Sequence, residues 1–251
     1  MTPLIKLRYL IALIPVSAIY GVYVAWNPIW IILSIVSFIA FVWFGHDLYY
    51  HRYLSHRSFE MPVWMQRVCM VLGVFCAFGS PIGVAAVHVR HHRDADTEDD
   101  PHPAHHAFAA WFWTHPAFGA ALDLPTTRRL MRDKWLVFVS QHYFTIYIGT
   151  VVLAALINVN IAIYGFLIPA VYAFFANGII NVVCHRWGYQ RHQTEDNSRN
   201  NHIANTLLLF SGIAMHNNHH ARPASPTMSS AWYEIDLVGA IACCVNNLEK
   251  K

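Results

Sequence analysis

Charge is what this sequence has least of. Lys, Arg, Asp and Glu make up 12% of the 251 residues, where soluble domains carry about 25%. Hydrophobic residues make up 56%. That balance excludes an ordinary soluble domain and points to a lipid bilayer. The net charge is only +3, a surplus that gives no sign of nucleic-acid binding. Cysteine is scarce too. Cys69, Cys76, Cys184, Cys243 and Cys244 form no CxxC and no ferredoxin-like spacing. A disulfide framework and a fused iron–sulfur domain are therefore not expected. The five read as reduced residues, mostly in packing roles.

The apolar residues gather into long runs at about 9–25, 29–44, 136–157 and 161–183. A spanning helix needs about 20 residues, so the second pair fits easily and the first is short. Lys6 and Arg8 ahead of the first run suggest a signal peptide, but no A-x-A cleavage site follows, and it reads as a span. The runs pair into two hairpins, turning at Trp26-Asn27-Pro28 and at Asn158-Val159-Asn160. Neither turn holds an acid or a base. All 17 Lys and Arg then lie on the other side, which the positive-inside rule makes cytoplasmic, with both termini. The segment 63–87 is also apolar, but it is broken by Gly79-Ser80-Pro81 and contains Gln66 and Arg67. Crossing there would put His51 and His56 on the opposite face from His88, His91 and His92. It reads instead as helices lying in the membrane interface or dipping in and returning. The expected fold is all-α and integral to the membrane: four transmembrane helices in two hairpins under a cytoplasmic helical cap, 45–135 and 184–251, all in one domain.

Histidine is the residue in excess, with 17 copies, as many as Lys and Arg combined. Four pieces carry the chemistry. His51 and His56 form an H-x4-H. His88, His91 and His92 form an H-x2-HH, and His216, His219 and His220 form another. Asn181 precedes His185 by four residues. Positions i, i+3 and i+4 share a helix face, so each H-x2-HH aims three imidazoles one way. The H-x4-H suits a helix end, where the last ligand leaves the helical path. Chance would give about 0.08 copies of H-x2-HH in this composition, and the chain has two. Nine histidines are too many for one ion, so two metals are expected, although imidazole alone does not choose between Fe, Cu, Zn and Ni. His102, His105, His106 and His115 read as parts of a polar loop. His142, inside the third run, reads as a satisfied buried histidine. The acidic run Asp94, Asp96, Glu98, Asp99 and Asp100 reads as a solvated loop or as support for the preceding histidines.

The pieces HRYLSHRSF, HVRHHRDADTEDDPH, NVVCHRWGYQ, DNSRNN, HNNHH and YEID, in this order between about His51 and Asp236, resemble the membrane fatty acid desaturases, especially the delta-9 acyl-CoA and acyl-lipid enzymes. The resemblance implies two non-heme irons on His51, His56, His88, His91, His92, His185, His216, His219 and His220, with Asn181 holding an iron through a water. It leaves His46, Asp96 and Asn217 as supporting residues. His46 and His51 also form an H-x4-H, but the family context HR-x2-SHRSF begins at His51. Met215 departs from the residues that often precede the last box in bacterial relatives.

Breaking an unactivated methylene C–H bond is beyond acid, base or nucleophile chemistry. The resemblance implies O2 as co-substrate and two electrons per turnover from an external ferredoxin-like or cytochrome-type donor. Arg128, Arg129, Arg132 and Lys134 are candidates to meet such a donor, a phosphate-bearing substrate or lipid headgroups. The substrate would be a long acyl chain on CoA, carrier protein or lipid. The expected location is a bacterial inner membrane, multi-pass, with the active site cytoplasmic. Hydroxylation, acetylene formation and decarboxylation use the same metals. A membrane zinc hydrolase would want a carboxylate within the boxes, and a metal transporter would place histidines along the membrane interior. An α-helical period from His51 puts Phe44, Ala40 and Ser37 on its face, as the wall of an acyl tunnel. The topology is checked with a single cysteine at position 27 or 160 of a cysteine-free variant. Labelling should come only from the periplasmic side, and labelling only from the cytoplasm would reverse the orientation.

Overall fold

The computed structural model describes residues 15, 18–19, 22–23, 28–120 and 122–249. Most of the first expected span and of the first turn lies outside them. The described residues are helical and contain no β-strand, only isolated bridges pairing Asn200 with Tyr189 and with Met215. Three helices are long and apolar enough to cross a bilayer: α1 (Ile29–Ser55), α6 (Lys134–Ile157) and α7 (Val159–His185). Between and after them run α2 (Val63–Val74), α3 (Pro81–Asp94), α4 (Ala107–Trp111), α5 (Leu124–Leu130), α8 (His202–Leu207), α9 (His216–Ala221) and α10 (Leu237–Glu249).

Helix α1 departs from the sequence reading in two ways. It does not stop at residue 44, and from Ile39 to Ser55 it is wound as a π-helix. At 27 residues it exceeds the roughly 20 that cross a bilayer, and its last turns carry Asp47, His51 and Arg52. The i→i+5 hydrogen bonding of a π-helix brings residues five apart onto neighbouring positions. His51 and His56 have that spacing, and the His56 N–H closes an i→i+5 bond on the His51 carbonyl at 3.2 Å. The H-x4-H is thus a π-helical pair that closes α1, with His56 at the C-cap, the helix end the spacing suggested.

Three other starts follow from capping side chains. Ser80 accepts from the Gly83 N–H at 3.1 Å, directly before Pro81. Asp123 accepts from the Thr126 N–H at 2.9 Å and Asp133 from the Trp135 N–H at 2.8 Å. The break between α2 and α3 falls at Gly79-Ser80-Pro81, where the sequence predicts it. Helix α2 buries Cys69, Met70, Gly73 and Val74 and exposes Val63, Trp64, Val68 and Val71. It is a short amphipathic helix, not a span. One extended residue, Asn158, separates α6 from α7 and accepts from the Asn160 N–H at 2.8 Å. His142, expected inside the third span, lies on the outer face of α6 beside Phe138, at 4.7 Å between rings.

The core joins α1, α2, α6 and α7 around Phe38, Phe41, Leu48, Tyr50, Met70, Val74, Leu136 and Ala173. The five cysteines are free, and Cys69, Cys76 and Cys184 are buried. At the crossing of α1 and α2 the backbones touch. A Cβ on Gly45 would lie 2.2 Å from the Gly73 nitrogen, and one on Gly73 would lie 2.5 Å from the Tyr50 ring. No rotamer change relieves a clash with backbone. Gly45→Val should therefore destabilise the protein by about 1–3 kcal/mol or more, read as a lowered unfolding midpoint in detergent. An unchanged midpoint would contradict this crossing.

Candidate metal centre

The helix ends bring nine imidazoles together in two groups. His51, His56, His88, His92 and His219 form one, and His91, His185, His216 and His220 the other; in each, the ligand-type atoms lie within 4.8 Å of one another. Helix α3 gives His88 and His92, one turn apart, to the first group and His91 to the second. Helix α9 divides likewise, with His219 in the first and His216 and His220 in the second. One H-x2-HH therefore serves two groups, because i+3 and i+4 diverge slightly around the helix. His46 belongs to neither. Its ring meets Phe78 edge-on at 4.9 Å and lies 6.5 Å from that of His51.

The ring nitrogens that converge are Nε2. His51 and His219 approach to 2.9 Å, His56 and His88 to 2.7 Å, and His92 and His219 to 2.8 Å. In the second group His216 lies 3.1 Å from both His185 and His220. Two donors each about 2.1 Å from one ion, at right angles, would be about 3 Å apart. The Nε2 of His91 is buried and has no hydrogen-bond partner. Burial, helped by neighbouring imidazoles, pushes His56, His88, His92, His216, His219 and His220 well below the usual imidazole value. They are neutral at pH 7, as ligation requires. The donor set fits divalent transition ions.

Carboxylates set the ring orientation from behind. His51 Nδ1 donates to Asp47 at 3.0 Å, His91 to Asp100 at 2.8 Å, His185 to Asp96 at 2.9 Å and His220 to Asp196 at 2.6 Å. A carboxylate only accepts, so each Nδ1 carries the proton and each Nε2 turns its lone pair inward. Burial disfavours charge on His91, but the Asp100 carboxylate outweighs it and raises the imidazole above its usual value, while His91 keeps Asp100 well below the usual carboxylate range. The carboxylates are anchored in turn. Asp96, at φ 61°, gives its N–H to Asp100 at 2.8 Å and accepts the Asn197 N–H at 2.8 Å. Asp47 is gripped by the buried Arg52, at 3.0 Å from Nε, and the same guanidinium holds Asp236 at 2.9 Å. Asp236 accepts the Gly239 N–H at 2.7 Å and so starts α10.

Asn217 acts at one remove. Its side chain accepts the Arg191 and His192 N–H groups, at 2.8 and 2.7 Å, and holds the loop that carries Asp196. Asn181 is buried on α7 and lines the cavity beside His216. Sequence reasoning missed Asp47 and Asp196 as supports, although Asp47 stands four residues before His51, a readable helical pair. It also left His102 in a polar loop. His102 is instead buried on the cavity wall, its Nδ1 has no partner, and burial and the His91 charge push it down to about 3.

A cavity of about 520 Å³ reaches both groups, touching His51, His88 and His216. Its apolar wall comes from Val42 on α1, Ile82 and Val84 on α3, Val137 on α6 and Ala173, Ala176 and Ile180 on α7. Ser37, Ala40 and Phe44 do not line it. The 3.6-residue period that pointed to them breaks down where α1 is π-wound, and Ala40 and Phe44 pack against the core. The wall has unpaired donors at Trp113 Nε1 and Asn177 Nδ2.

A helical protein with membrane-length helices and two buried polyhistidine groups at their ends is the class this geometry defines. The fatty acid desaturase family profile matches residues 25–241, and the chain belongs to that family. It is 31% identical over 200 residues to the sn-1 stearoyl-lipid 9-desaturase of Synechocystis sp., covering 77% of this chain and 61% of that one. It is 30% identical over 240 residues to the icosanoyl-CoA 5-desaturase of Limnanthes douglasii, covering 91% and 65%. To the delta-9 acyl-lipid desaturase 2 of Arabidopsis thaliana it is 28% identical over 234 residues, covering 86% and 70%. The chain thus spans roughly two thirds of the length of these relatives.

Three substitutions test the centre. Asp196→Asn should weaken metal retention about 10- to 100-fold with the fold intact, measured by competition with a chelator. His46→Ala should keep most of the metal and His51→Ala should lose it. Equal loss in both would move the ligand set upstream.

Proposed function

We propose that this chain is a membrane fatty acyl desaturase that uses O2 and two irons to convert a –CH2–CH2– unit of a long acyl chain to –CH=CH–. Two electrons and two protons are consumed with each O2, which leaves as two waters. The observation that carries the reading is the convergence of nine imidazoles, four of them oriented by carboxylates, at one end of an apolar cavity. His51, His56, His88, His92 and His219 would hold one iron. His91, His185, His216 and His220 would hold the other, with Asn181 acting through a water. The irons supply O2 activation and hydrogen-atom abstraction.

The protein's own share is orientation and exclusion. Asp47, Asp96, Asp100 and Asp196 keep the Nε2 lone pairs aimed at the metals. None of these carboxylates belongs to either ligand group, so neither group contains the carboxylate that a zinc hydrolase would want. The cavity shields the acyl chain from water, and each CH2 left exposed would forfeit about 0.8 kcal/mol. Trp113 and Asn177 offer N–H donors to an oxygen of the acyl group. Relatives named as 9-desaturases support a delta-9-like outcome, and those named for acyl-lipid and acyl-CoA substrates support either carrier. The exposed Arg128, Arg132 and Lys134 remain candidates to meet an acidic ferredoxin or cytochrome-type donor. Arg129 is half-buried and donates to the Leu54 carbonyl at 2.6 Å. The orientation that follows from the charge-free turns puts the centre on the cytoplasmic side of a bacterial inner membrane.

Expression in a host without desaturases, followed by mass spectrometry of its lipids, tests the reaction. New monounsaturated chains should appear only with O2 and vanish in His216→Ala. Hydroxylated chains, or no product from protein carrying two irons, would overturn it. In the active enzyme Ala173→Phe or Ala176→Phe should shorten the preferred acyl chain with iron retained, whereas Ala40→Phe should not. The reverse pattern would displace the acyl site from this cavity.

A further inference from the structure

A third cluster of ligand-type side chains lies outside the centre. Glu98 Oε1 is 3.0 Å from His105 Nε2, and Glu98 Oε2 is 3.5 Å from His106 Nε2. All three groups are exposed, and their ligand-type atoms lie within 4.8 Å of one another. The His115 ring stacks on that of His106 at 5.3 Å. An ion pair would account for one imidazole on one carboxylate. Here two Nε2 atoms turn to the two oxygens of a single carboxylate.

The location matters as much as the chemistry. Glu98 sits two residues after Asp96 and two before Asp100, the carboxylates that orient His185 and His91. The other end of the cluster is tied to the same region, because Arg186, next to His185, donates to the His105 carbonyl at 3.3 Å.

We propose that Glu98, His105 and His106 form a third, solvent-facing metal site, and that an ion held there braces the turn carrying Asp96 and Asp100. Two imidazoles and a carboxylate select a borderline divalent ion such as Zn2+ or Cu2+, not Mg2+ or Ca2+, which want an all-oxygen shell. The remaining coordination positions are open to water. A cross-link between residue 98 and residues 105–106 removes freedom from the segment between them, which contains Asp100, the acceptor of the Asp96 N–H bond that supports the buried centre.

The test uses the full chain in detergent with its buried metals in place, dialysed against micromolar Zn2+. Iron and zinc are counted separately, and amide exchange is followed across residues 96–100. Wild type should gain one zinc per chain with its iron unchanged, and exchange in that turn should slow several-fold. The double variant His105→Ala/His106→Ala should keep its iron, gain no zinc and show no slowing. His202→Ala, which removes an exposed histidine elsewhere, should behave as wild type. Equal zinc uptake by the double variant, zinc gained only as iron is lost, or uptake without slower exchange would each overturn the proposal. Because zinc is counted apart from iron and from product, failure here is distinguishable from failure of the desaturase reading.

Discussion

The carboxylate–imidazole hydrogen bond is the interaction on which this architecture depends. Nine imidazoles are packed where neighbouring rings come within hydrogen-bond distance, and burial strips most of their charge. A neutral imidazole still has two tautomers, and in a crowd of nine the wrong one points a proton where a lone pair is needed. Asp47, Asp96, Asp100 and Asp196 settle that choice for four rings. The rest of the polar end is arranged to hold those four carboxylates still.

Arg52 shows how far that arrangement extends. It lies between Asp47 and Asp236, fully desolvated, and its donors also reach the Pro226 carbonyl at 2.6 Å and the Ser211 carbonyl at 3.4 Å. A buried charge of this kind is tolerated only when each donor is met. The same contacts tie α1 to the chain that follows α9 and to the start of α10, so one side chain links the orientation of His51 to the packing of the C-terminal helix. Asp96, Asp100 and Asp196 depend instead on backbone N–H groups of tight loops. The first histidine group is therefore braced by an ion-pair network within the bundle, and the second by loop geometry.

Much of this was legible in the sequence and some was not, for identifiable reasons. The boxes and the break at Gly79-Ser80-Pro81 stood out because each is local, a matter of spacing within a few residues. The all-helical character followed from the apolar runs. The π-winding of α1 was not legible, since 3.6-residue periodicity was the ruler used, and Ser37, Ala40 and Phe44, which that ruler placed, are not among the residues lining the cavity. Asp196 and His220 are separated by 24 residues and Asp96 and His185 by 89. Such pairs are products of the fold, although Asp96 was already expected to play this part. His102 was misplaced because a histidine between two prolines reads as loop, whereas the Asp100 side chain draws its backbone inward at 2.7 Å.

The central claim is two metal positions, each surrounded by Nε2 atoms with the carboxylates held behind the rings. Anomalous diffraction at the iron edge, from crystals of the iron-loaded protein, tests it most directly. The account predicts two peaks per chain, one enclosed by His51, His56, His88, His92 and His219 and the other by His91, His185, His216 and His220. A single peak, or an iron bound directly by Asp47, Asp96, Asp100 or Asp196, would contradict it.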